Sequence, residues 1–184
     1  EKAATNEVIE KLVSALGDND LNVRRSAHRA LGNMGEKVAT NEVIEKLVSL
    51  LEDEHYSVRM SVCEALGNMG EKAATNEVIE KLVSALGDDE STVRRSACEA
   101  LGKMGEKAAT NEVIEKLVSA LGDQDGWVSE SACKALAYMG EKAATNEVID
   151  KLVSLLGDQN ASVRWNACKA LAYMGEKAAT NEVI

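Results

Sequence analysis

Residues 1–35 read EKAATNEVIEKLVSALGDNDLNVRRSAHRALGNMG, and the remainder of the chain is that stretch written again with small changes. Copies begin at Glu36, Glu71, Glu106 and Glu141, and residues 176–184 repeat its first nine letters. Repeats 1–35, 36–70, 71–105, 106–140 and 141–175, with a partial sixth at 176–184, account for all 184 residues. A period of this size marks a solenoid, in which each unit buries its apolar face against its neighbours. The expectation is therefore one continuous all-α stack over residues 1–184.

Each unit predicts two helices. The first runs from about Thr5 to Leu16, with Thr5 or Asn6 as N-cap, Glu7 at the positive end of the macrodipole and Gly17 as the stop. Val8, Ile9, Leu12, Val13 and Leu16 give it one wide apolar face at helical spacing. The second runs from about Leu21 to Met34 and ends at Gly35, with Asp18 and Asp20 as candidate caps. Its apolar face is Val23, Ala27, Ala30, Leu31 and Met34. Small residues at repeat positions 26, 28, 30 and 32 let second helices of adjacent units pack closely.

Aligning the units on one another separates framework from freedom. Nineteen positions are identical in all five units, nine alternate between two residue types, and seven carry three or more: 19, 20, 21, 22, 25, 29 and 33. On a wheel turning about 100° per residue from position 21, the core positions fall between about 180° and 280°. The variable helical positions fall between about 0° and 120°, on the solvent side. Positions 19 and 20 lie in the loop at the head of that stripe.

A two-helix unit with Asp18 before the second helix and Val23-Arg24…Ala30-Leu31-Gly32…Met34-Gly35 within it resembles HEAT-like repeats. The resemblance implies a right-handed superhelix of stacked helix pairs. It also implies a ladder with Asp18, Asp53, Asp88, Asp123 and Asp158 as one rail and Arg24, Arg59, Arg94 and Arg164 as the other. Ser129 interrupts the arginine rail in unit four. The free positions are similar to those diversified in artificial HEAT-like binding proteins, whose second helices line a concave surface.

The stripe reads as a protein-binding surface. All five aromatic residues, Tyr56, Trp127, Tyr138, Trp165 and Tyr173, sit on variable positions, although only seven positions in 35 vary. Trp, Tyr and Arg dominate interface hot spots, each costing about 2 kcal/mol or more when truncated. The expected contact set adds Leu21, Asn22, Arg25, Arg29, Met60, Glu64, Arg95, Glu99, Lys103, Glu130, Lys134 and Lys169. Because the rings concentrate in units four and five, the anchor is expected there. A protein or peptide is the expected partner, held by a non-enzymatic scaffold.

Composition narrows the other classes. The net charge of −10 comes with no basic stripe along the backbone-contact positions, which argues against nucleic acid. No apolar run approaches 18 residues, so no membrane span is expected. No signal peptide is visible, and because the chain starts at Glu1 rather than Met, removal of a leader stays open. Cys63, Cys98, Cys133 and Cys168 share one repeat position, with His28 in the first unit. Equivalent atoms on stacked helices lie about 8–10 Å apart, beyond the reach of a disulfide. Free thiols fit a reducing, cytoplasmic compartment.

Catalysis and cofactors are not expected. Deoxyhypusine hydroxylase is built from HEAT-like repeats and holds iron with His-Glu pairs; here the corresponding pairs are His28-Arg29, Cys63-Glu64, Cys98-Glu99, Cys133-Lys134 and Cys168-Lys169. Bilin lyases contain similar units, but a thiol in every unit is explained by small-residue packing. The rival is a designed or recently duplicated array without a specific partner; Cys as the majority residue at its position and irregular changes such as Val38, Val62 and Glu52, which look like drift, favour a natural sequence over a design. Neither end carries a polar capping unit. Val8, Ile9, Val183 and Ile184 therefore point to end-to-end self-association, and the partial sixth repeat suggests a piece of a longer array.

Overall fold

The computed structural model describes residues 6–175. Thr5 as a cap, the partial sixth repeat, and Val183 and Ile184 lie outside the described residues. The first helices of successive units are α1 (Asn6–Ala15), α3 (Asn41–Ser49), α5 (Asn76–Ala85), α7 (Asn111–Ala120) and α9 (Asn146–Leu155). The second helices are α2 (Leu21–Met34), α4 (Tyr56–Met69), α6 (Ser91–Lys103), α8 (Gly126–Tyr138) and α10 (Ala161–Met174). Among the described residues there is no strand, and the chain is an all-α solenoid.

The caps are local chemistry. Thr40, Thr75, Thr110 and Thr145 each accept a hydrogen bond from the amide three residues on, at 3.2–3.4 Å, and so start α3, α5, α7 and α9. The two aspartates before the second helix divide their work. Asp20 caps α2 through the amides of Asn22 and Val23, while Asp18 accepts from the Asp20 amide and shapes the loop.

One expectation about helix ends needs correction. Gly17 is not the stop: α1 ends at Ala15, Gly17 is outside the left-handed region, and Glu52 holds the same position in unit two. The conformationally demanding glycine is at position 35, where Gly35, Gly70, Gly105, Gly140 and Gly175 all have φ near +59°. A short 3₁₀ turn follows α2, α4, α6 and α8, at Gly35–Val38, Gly70–Lys72, Gly105–Lys107 and Gly140–Lys142.

Those turns explain a difference between units. Val38 ends the first turn and is 1% exposed, and Ala73, Ala108 and Ala143 are buried at the same place. Val62 is buried as well. Val38 and Val62 are thus core substitutions within one unit. Glu52 is exposed and forms an ion pair with Lys81 of the next unit.

The core runs along the whole stack. Val58, Val62, Ala65, Leu66 and Met69 of α4 are buried, as are Val43, Ile44, Leu47 and Val48 of α3. Burying a Val or Leu fully is worth about 1.5–3 kcal/mol relative to exposure. In the terminal units the same positions are more open: Val23 is 39% exposed, and Val153 37%.

Second helices approach one another far more closely than first helices do. The cause is visible at repeat positions 32 and 30. A Cβ placed on Gly67 would lie 2.8 Å from the Ala100 Cα, and one on Gly102 2.8 Å from the Ala135 Cα. A stack closer on one side than the other bends toward the closer side, which here is the second-helix layer.

Candidate functional site

The variable positions fall on this inner layer and face solvent. Trp127 and Tyr138 are each 67% exposed, and Trp165, Tyr173 and Tyr56 are about half exposed. Asn22, Arg25, Arg29, Lys103 and Lys134 are exposed, and Glu64, Arg95, Glu99, Glu130 and Lys169 are half-buried. Leu21 and Met60 are also half-buried, but they pack against the hydrophobic core. Their side chains thus serve the fold as well as the surface.

Charged neighbours organise the C-terminal half of the stripe. Glu130 lies 3.2 Å from the Lys134 Nζ and 3.4 Å from the Lys169 Nζ, joining α8 to α10. The Lys134 hydrogen bond is the main force holding the Glu130 carboxyl below its usual range. Lys169 also sits 4.0 Å above the Trp165 ring, a cation–π contact that fixes the indole. One unit back, Arg95 pairs with Glu99 at 3.6 Å, and the Ser131 hydroxyl donates to Glu99 at 3.2 Å. The Lys103 ammonium donates to the Asn68 amide oxygen at 2.7 Å.

Beneath the stripe, the ladder sets the spacing of its helices. Arg59 grips Asp88 through Nε and Nη2 at 2.7 and 2.8 Å, and Arg94 grips Asp123 at 2.7 and 3.0 Å. The first rung is looser, with Arg24 Nε 3.7 Å from Asp53. Burial, the largest single influence, works against the Asp88 and Asp123 carboxylates, but the arginine hydrogen bond, a backbone amide and the arginine charge together outweigh it and both shift downward. Ser129 leaves Asp158 without its rung; its hydroxyl donates to the Asp123 and Asp125 carbonyls instead.

Two features had no counterpart in the sequence reading. Each ladder arginine turns Nη1 back onto two carbonyls of its own loop, as Arg94 does to Asp88 and Asp89 at 2.8 and 3.0 Å. Backbone acceptors leave no trace in a side-chain pattern. The second is a surface row at the unit junctions, where Lys72 meets Glu36 and Lys107 meets Glu71 at 3.6 Å. Invariant Glu-Lys at repeat positions 1 and 2 was its signal.

The thiols divide by position. Cys63, Cys98 and Cys133 are buried and free, and Cys168 is exposed on the last second helix. Burial pushes the Cys63 thiol up to about 12 and the Cys133 thiol to about 11. Among the described residues no three His, Cys, Asp or Glu side chains are grouped to hold a metal ion, and no helix is long and apolar enough to cross a membrane.

Stacked helix pairs with a solvent-facing, variable inner layer define an α-solenoid repeat protein. The chain belongs to the HEAT-repeat family, whose model matches residues 9–80, 44–115 and 114–183. No curated protein sequence matches it. Among solved structures, an engineered protein is 26% identical with a TM-score of 0.69, over 93% of this chain and 81% of that one. Computationally designed armadillo repeat proteins for modular peptide recognition are represented by a chain 26% identical with a TM-score of 0.57, over 90% of this chain and 81% of that one. The complex of CpcE and CpcF of phycocyanin lyase from Nostoc sp. PCC7120 includes a chain 21% identical with a TM-score of 0.67, over 96% of this chain and 68% of that one. That last likeness is one of fold alone.

Proposed function

We propose that this chain is a non-enzymatic scaffold that binds a protein or peptide on its second-helix layer, anchored in units four and five. The observation that carries the reading is four large rings, Trp127, Tyr138, Trp165 and Tyr173, each about half exposed or more on adjacent helices α8 and α10. Large rings exposed on one stripe cost solubility, whereas an interface buries them. The structural likeness to proteins designed for modular peptide recognition supports the same use of this architecture.

The test is a panning experiment against a random peptide library. It compares the native chain with a variant carrying Ala at Trp127, Tyr138, Trp165 and Tyr173. Exposed substitutions change stability by about 0.5 kcal/mol or less each, so the variant should melt near the parent. Peptides enriched by the parent and lost by the folded variant are the expected result. Equal binding by both, or collapse of the variant, would overturn the reading.

A second reading rests on the last ladder arginine. Arg164 holds the carbonyls of Asp158 and Gln159 at 2.8 and 2.9 Å, but no carboxylate lies within 4 Å of it among the described residues. The Asp18 carboxylate likewise has no guanidinium within 4 Å among them, although its carbonyl accepts from Arg24 Nη1 at 2.8 Å. Together with exposed Val23, Val153 and Leu156, these groups would fit end-to-end self-association of copies. Light scattering decides: a size that grows with concentration favours it, and a constant monomer excludes it.

A further inference from the structure

The inner layer differs from the rest of the molecule in the sign of its charge. At repeat positions 25, 29 and 33 the cations are Arg25, Arg29, Arg95, Lys103, Lys134 and Lys169, against only Glu64, Glu99 and Glu130. The whole chain nevertheless carries −10. The acidic excess lies elsewhere, on first helices, where Glu7 and Glu10 outnumber Lys11, and in the loops.

Internal pairing sharpens the contrast. Glu99 is occupied by Arg95, and Glu130 is shared between two ammonium groups. Arg25 and Arg29 have no carboxylate within 4 Å among the described residues. Lys103 has only the neutral Asn68 amide oxygen. Three of the six cations, Arg25, Arg29 and Lys103, thus have no carboxylate within 4 Å among the described residues, and Lys134 and Lys169 share a single one.

One pocket concentrates it. Between α6 and α8 lies a cavity of about 210 Å³ lined by Glu99, Gly102, Lys103, Ser131, Lys134 and Tyr138, with Ala135 at its floor. The volume equals the share of about seven waters at about 30 Å³ each, enough for an acidic side chain. Its one carboxylate, Glu99, already has Arg95 and the Ser131 hydroxyl. An entering anion would meet Lys103, which has no carboxylate partner, and on the opposite helix Lys134, which shares Glu130 with Lys169 and so retains part of its charge, with the Tyr138 ring as a wall.

We propose that the inner layer takes an acidic peptide segment, with one Glu or Asp side chain seated between Lys103 and Lys134 and apolar neighbours laid over Tyr138 and Tyr173. The proposal rests on the reading of this layer as a binding surface and names the chemistry of the partner. A protein of net charge −10 attracts basic peptides through its long-range field, so preference for an acidic one must come from local contacts.

The experiment uses a fluorescein-labelled peptide alternating Glu and Leu, and the same peptide with Gln or Lys in place of Glu. Anisotropy and the fluorescence of Trp127 and Trp165 are followed in 0.15 M salt, where the Debye length is about 8 Å and charges on the outer layer are largely screened. The Glu peptide is expected to bind about tenfold tighter than the Gln peptide, with the Lys peptide weakest. Lys103→Glu with Lys134→Glu should remove that preference while leaving the melt intact. Lys103→Gln with Lys134→Gln serves if the reversal unfolds.

Gln or Lys peptides binding as tightly as the Glu peptide, with a tryptophan signal, would overturn the acidic preference and leave the binding surface standing. Persistence of the preference in either lysine variant would overturn the assigned seat. Failure of every peptide to perturb the tryptophans would remove both.

Discussion

His28 fills the position that Cys63, Cys98 and Cys133 fill in the next three units, and it is fully buried with neither ring nitrogen hydrogen-bonded to the protein. Burial, helped by Arg24 and opposed by Asp53, lowers its pKa from 6.5 to about 4. The imidazole is thus neutral in the fold and must take up a proton as the pH falls. Its contribution is complete above pH 6.5 and is lost as the pH drops toward 4, a difference of about 2–3 kcal/mol. Melts at pH 7 and pH 4.5 should show the native chain losing more stability than His28→Cys. Equal losses would mean that the ring is hydrated or already partnered. The sequence flagged this residue as the odd member of a cysteine column, but it could not show how dry the site is.

The junction between units is where elements meet, and Arg94 illustrates it. Its guanidinium spans Asp123 of the next unit and two carbonyls of its own loop. Hydrogen bonds to charged groups are worth about 1.5–3 kcal/mol, and Arg94→Ala would strand a largely buried carboxylate. Chemical denaturation should show a loss of about 2–3 kcal/mol, and Asp123→Ala combined with Arg94→Ala should cost less than the sum of the two. The rails of this ladder were legible from the family resemblance, and so was the gap at Ser129. The helix faces were legible too, because Val58, Leu66 and Met69 repeat at a fixed spacing. The stop at Gly17 was misread because composition alone cannot tell a glycine with ordinary φ from Gly35, whose φ is +59°.

At the scale of the whole molecule, cohesion passes from unit to unit along a line, so the weakest junction governs how the stack opens. That junction is between units four and five, where Ser129 supplies no rung to Asp158. Hydrogen exchange should release α9 and α10 before α5 and α6. Ser129→Arg offers Asp158 the partner that Asp88 and Asp123 already have, and should slow exchange in α10. Unchanged exchange would assign the lability to the chain end instead. The direction in which the inner layer faces was legible from sequence, since the variable positions share one side of a helical wheel. Which of that layer's cations remain without a carboxylate was not, because pairing such as that of Lys134 and Lys169 with Glu130 is made through space.

The Gly102–Ala135 approach has a further consequence. Unit four carries Ala137 where units one to three carry glycine, so its side chain stands where Gly32, Gly67 and Gly102 leave room for a neighbouring helix. Each joint is consequently either flush or shimmed by a single methyl group. A row of such joints works like tapered bricks in an arch, and the ratio of the two kinds tunes its radius without altering any of the seven variable positions.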